Sequence, residues 1–177
     1  SLTGESQQSA LLVSTRDRLL VLYGDSEGNF QLVPFAMDSG AHARTLQWIG
    51  QAVFQNAFGL SSMATSQAFG GFNNSVISSK VKPFLDARRD MATGSMIVRS
   101  KNQYRIFFSD GSGLYVTFRQ GKSGGLYPSG FFPVQFPHKV TCAVSYMNRG
   151  ISPLFSSIPA GEESLLIGTE EIGRAHV

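Results

Sequence analysis

Only one cysteine, Cys142, occurs among the 177 residues. An internal disulfide is therefore excluded, and folding in a reducing compartment is the simpler expectation. Charge is also scarce. Asp, Glu, Lys and Arg make up 15% of the chain, against about 25% in an average soluble domain. A surface with so few charges leaves more area for neighbours to cover, which points to a subunit of something larger. The net charge is only +3, and Arg88 and Arg89 are the one adjacent basic pair. That excludes the basic tract by which nucleic-acid or headgroup binding is recognised. No run of about 18 apolar residues exists, so no membrane-spanning helix is expected. No signal-peptide pattern opens the chain. It begins at Ser1 without Met, which reads as processing or trimming.

What is abundant points to strands. The chain has 19 Gly, 14 Phe and five Tyr; aromatic side chains suit a pleated surface, and Gly supplies tight turns. An apolar run, a turn and a second apolar run recur four times. Arg18–Tyr23 turns through residues 24–29 into Phe30–Phe35. Gln51–Phe54 turns through Gln55–Phe58 into Gly59–Ala64. Gln103–Phe108 turns through residues 109–113 into Leu114–Phe118. Ser164–Gly168 turns through residues 169–171 into Ile172–Val177. The third is the clearest hairpin, with Tyr104, Ile106 and Phe108 on one face and Leu114, Val116 and Phe118 on one face of the return strand. Gly94–Arg99 and Lys139–Tyr146 each add a strand before the hairpin that follows. The predicted fold is a single all-β domain over residues 1–177, built of antiparallel, hairpin-rich sheets. Units of three or four strands suit radial or stacked sheets, including the blades of a β-propeller.

Four segments break the pattern. Residues 1–9 are polar and read as a flexible start. Ala41–Ala52 and Lys82–Asp90 each suit a short helix, the second opening with Pro83 in its first turn. Gln120–Pro137 carries four Gly and three Pro and reads as a long loop.

Catalytic chemistry finds little support. Cys142 alternates with Val140 and Val144 and reads as a buried core thiol. His138 enters a strand from a loop and suits a turn or an interface. There is no Gly-x-Ser-x-Gly elbow. His42, His138 and His176 are isolated, with neither His-x-x-x-His nor Cys-x-x-Cys spacing. The turns 25–29 and 110–113, each with one Asp, lack calcium-loop spacing and read as hairpin turns. Gly70-Gly71-Phe72 and residues 121–125 lack the P-loop spacing. No enzyme, cofactor or metal is predicted. Trp48, Tyr115, Tyr127, Phe131 and Phe132 are the candidate surface residues. Tyr115 alternates away from the apolar face of its strand and is expected to be exposed. Such aromatics serve either a protein interface or a glycan platform.

The segments GLSSMA (59–64), Lys82-Pro83-Phe84, RSKNQYRIFFSDG (99–111), FFPVQFPHKVTCAVS (131–145) and ESLLIGTEEIGRAHV (163–177) follow one another in an order that resembles tailed-bacteriophage virion proteins. The likeness is to the β-propeller-bearing tail proteins of the nozzle, hub or tail tubular type. Arg99-Ser100-Lys101-Asn102-Gln103-Tyr104-Arg105 is its most specific part. The resemblance implies a structural role in the tail, in a virion assembled from protein made in the host cytoplasm. It further implies a homo-oligomeric ring around the DNA channel, other tail or portal and adaptor proteins as neighbours, and transient contact with DNA. The alternative is a receptor- or glycan-binding β module. One departure is clear: propellers close with four to eight blades, and this chain has room for three or four. At least one terminal strand, Ala10–Ser14 or Ile172–Val177, is therefore expected on an unpaired edge that a longer chain or a neighbour completes.

Overall fold

The computed structural model describes residues 10–24, 26–37, 39–63, 76–121, 126–147 and 162–170. Residues 1–9, Gly70-Gly71-Phe72, residues 122–125, His176 and the return strand 172–177 of the fourth hairpin lie outside them. The described residues form twelve strands in four antiparallel sheets, each a meander of consecutive strands. Sheet I holds β1 (Ala10–Ser14), β2 (Leu19–Tyr23) and β3 (Gln31–Ala36). Sheet II holds β4 (Gln47–Trp48), β5 (Ala52–Asn56) and β6 (Gly59–Ser62). A short helix, α1 (Lys82–Asp86), follows with Pro83 in its first turn. Sheet III holds β7 (Ala92–Val98), β8 (Gln103–Phe108), β9 (Ser112–Gln120) and β10 (Leu126–Gln135). Sheet IV pairs β11 (Val140–Met147) with β12 (Glu163–Thr169).

The all-β, antiparallel expectation is therefore met, and the first three hairpins stand where alternation placed them. In the third, the turn is tighter than predicted. Asp110 Oδ1 accepts the Ser112 amide at 2.9 Å, and Gly111 takes φ of +79°, a conformation that disfavours side chains.

Period-2 alternation gives each inner sheet two apolar faces, and the sheets stack through them. Phe54 of β5 packs with Leu19 and Ala36 of sheet I. Its neighbour Val53 faces the other way and joins Leu60, Ile97, Tyr104, Ile106, Leu114 and Val116 between sheets II and III. On the opposite face of sheet III, Met96, Val98 and Phe107 pack against Val140, Ala143, Leu165 and Ile167 of sheet IV. The order of contact is thus I on II, II on III, III on IV. Burying each large apolar side chain in these layers contributes about 1.5–3 kcal/mol. The Tyr104 hydroxyl, fully buried, donates to Thr45 O at 2.7 Å, which avoids the cost of an unpaired polar group.

Two sequence expectations are corrected. Ala41–Ala52 forms no helix: Arg44 sits at φ +64° and Gly50 at φ +75°, and the backbone of the segment is taken up by tertiary partners. His42 N donates to Gln55 O, and Thr45 O accepts from Tyr104. Residues 120–137 are not a loop through their length, because Leu126–Gln135 is a strand, β10, the longest among the described residues. β10 is the edge of sheet III, and an edge tolerates Pro, which lacks a ladder N–H. A bulge between Pro128 and Gly130 absorbs the irregularity. Ala10–Ser14 pairs with β2 along its whole length and forms an edge of sheet I, with Leu11 exposed beside it, as expected of a terminal strand.

Candidate interaction surfaces

A stack of four sheets has two end faces, and both are apolar. Cross-strand register sets Leu11 opposite Leu22 and Leu22 opposite Leu32, with Val13, Leu20 and Pro34 in the next such row. These six residues form the outer face of sheet I. Leu11 is 60% exposed and Leu32 55%. At the other end, Cys142, Val144 and Tyr146 lie opposite Gly168, Leu166 and Ser164 on the outer face of sheet IV. Val144 is 53% exposed and Leu166 42%. Among the described strand residues, neither face carries a charged side chain. Contiguous apolar area of this kind marks an interaction site more often than it marks a solvated surface.

Cys142 was expected in the core and is exposed. The cause is a bulge between Val140 and Cys142. Val140 points into the stack, the register slips by one residue, and Ala143 takes the next inward position. A slip of one residue turns every following side chain over, so Cys142 and Val144 face outward.

The candidate aromatics separate. Tyr115 is corrected from exposed to half-buried, because it packs against the cluster that holds Phe107. Its ring meets Phe107 edge-on at 6.4 Å, and the Arg105 guanidinium lies 4.1 Å from its centroid. Phe131 packs against the cluster between sheets II and III. Tyr127 and Phe132 are exposed and share one face of sheet III, where the register opposes them to Arg119 and Tyr115. Trp48, 61% exposed, borders a cleft of about 260 Å³ with Gln47, Ser95, Arg99 and Ser145. That cleft gathers β4, β7 and β11, the first strands of three successive sheets. A second cavity, of about 450 Å³, gathers the end of β1, residues 41–43 and the start of β7. β7, the first strand of sheet III, thus borders both cavities, beside the end of β1 in one and beside β4 and β11 in the other.

Sequence reasoning missed two polar groupings. In the larger cavity, Arg16 binds Asp90 at 2.7 Å and His42 Nδ1 lies 3.9 Å from the same carboxylate. Burial lowers the His42 pKa, against the opposing pull of a backbone hydrogen bond at Arg89 and the Asp90 charge. Elsewhere, the Glu163 carboxylate spans sheets III and IV. It accepts the Arg99 and Ser100 amides at 2.8 Å each and the Ser145 hydroxyl. Long sequence separation hid both. His138 is exposed at the entry to β11. Among the described residues, no three His, Cys, Asp or Glu side chains come together as metal ligands do. No helix there is long and apolar enough to cross a membrane.

Comparisons with protein-family models, with curated proteins and with solved structures found no match to this chain.

Proposed function

We propose that the chain is a structural component of a bacteriophage tail, of the nozzle or hub type, and that copies assemble in a ring around the DNA channel. The observation that carries this reading is the stack of four consecutive meander sheets with uncharged, apolar faces at both ends. A chain built this way gains stability from neighbours that extend the stack. The first strands of the other three sheets each meet β7, which suits the disposition of blades, and a partial β-propeller is the finer architecture we infer. The likeness of residues 99–105 to tail proteins supplies the context. Neighbours in that context are other tail proteins and portal or adaptor proteins, and the virion tail is the location. The small charge of +3 suits a channel wall, because strong phosphate contacts would hold the DNA back. No catalytic role is proposed. Negative-stain electron microscopy of the concentrated protein tests the reading: closed rings with a central hole are expected, and filaments or single particles alone would overturn it.

The Trp48 cleft favours a second reading, a glycan-binding module. An exposed indole beside amide, hydroxyl and guanidinium groups suits the apolar face and hydroxyls of a sugar. Trp48 is the one tryptophan of the chain, so its fluorescence reports on this cleft alone. A saturable change with an oligosaccharide, absent in Arg99→Gln, would favour this reading over the first.

A further inference from the structure

We propose that copies of this chain join head to tail, the outer face of sheet I in one copy packing on the outer face of sheet IV in the next. This rests on the assembly reading and specifies its contact.

The chain itself builds the same kind of interface three times, I on II, II on III and III on IV. The open face of sheet I is where that series would place a preceding sheet. The open face of sheet IV is where it would place a following one. The contact between copies continues the internal interface with no new kind of packing. Neither face would bury a charge, whose desolvation is expensive without a partner. The two faces also differ in relief. Sheet I presents the bulky row Leu11, Leu22 and Leu32, whereas sheet IV sets Gly168 beside Cys142 and places Val144 and Leu166 next to them. Large side chains set against small ones pack better than leucines set against leucines. Joining unlike faces buries both ends of every copy. A two-fold dimer through sheet I would leave every sheet IV exposed. Repeated contact between unlike faces generates a ring where the rotation closes and a filament where it does not.

Blocking each face separately tests this. Leu11→Lys with Leu32→Lys blocks sheet I; Val144→Lys with Leu166→Lys blocks sheet IV. In sedimentation velocity the unmodified chain should associate with rising concentration, and each blocked variant alone should stay monomeric. An equimolar mixture of the two should form a heterodimer and stop there. A monomeric unmodified chain, or a self-dimer of either blocked variant, overturns the proposal. A second measurement stands if the lysine variants fail to fold. Cys142, the one cysteine, lies on the sheet IV face. Adding Leu22→Cys places a thiol on the sheet I face, and a short bis-maleimide should then give a covalent ladder. Cys142-to-Cys142 dimers in the unmodified chain, with no ladder after Leu22→Cys, would overturn the contact. A ladder without rings in the microscope keeps this contact and sinks the ring reading; rings without a ladder do the reverse.

Discussion

The Glu163 carboxylate, bound to two backbone amides and a hydroxyl across two sheets, shows how one side chain couples fold to pH. Burial alone would raise its pKa. Hydrogen bonds from the Ser100 and Ser145 side chains and from the Ser100 and Arg99 amides outweigh burial and bring it down to about 2, from an ordinary 4.5. A carboxylate depressed in the folded state contributes stability above its unfolded pKa and loses it as pH falls. Here the loss falls between about pH 4.5 and pH 2. Glu163→Gln should cost about 1 kcal/mol at pH 7, a figure discounted for solvent screening. It should also flatten the acid limb of stability against pH, measured by urea denaturation at several pH values. An unchanged acid limb would sink this account. At the same scale, Cys142 should react with a maleimide in dilute native protein without denaturant, since it is exposed. A thiol that reacts only after unfolding would contradict the outward face assigned to it.

At the scale of the element, the β8–β9 hairpin shows what alternation can and cannot reveal. Tyr104, Ile106 and Phe108 share a face as their spacing implies, and all are fully buried. The Asp110-Gly111 turn was equally legible, since the Asx contact and the positive φ follow from those two residue types. Gly111→Ala should cost about 1 kcal/mol, because its φ of +79° is strained for alanine and its Cβ would lie 3.2 Å from Phe136 O. Thermal unfolding measures this; a neutral result would mean the turn relaxes. A paired comparison tests the layers. Ile106→Ala should cost about 2–5 kcal/mol, whereas Val144→Ala in the monomer should stay within about 0.5 kcal/mol. Equal losses in denaturant melts would remove the distinction between inner and outer faces. β10 was not legible, because Gly and Pro argue for a loop until the strand is known to be an edge with a bulge.

Across the whole molecule, the stack predicts a gradient of protection. Amide hydrogen exchange should be slowest in β8, which is paired on both sides and covered on both faces, and faster in β1 and β12. Protection spread evenly over the four sheets would argue against sheet III as the centre. The sequence by itself determined the local features: an all-β class, the hairpin positions, the turn chemistry, the short helix opening with Pro83, and the absence of a disulfide. These follow from interactions within a few residues of chain. Only the tertiary structure decided which sheet faces are covered. Alternation separates the two faces of a strand, but it cannot tell whether a second sheet lies on either. Phe107 is covered because sheet IV lies on its side of sheet III, and Leu11 is bare because no described sheet lies beyond sheet I. The bulge that turned Cys142 outward, the edge position that made β10 a strand, and the partners of Glu163 are likewise set by distant chain. Burial is a property of neighbours in space, and one strand's sequence records only its own two sides.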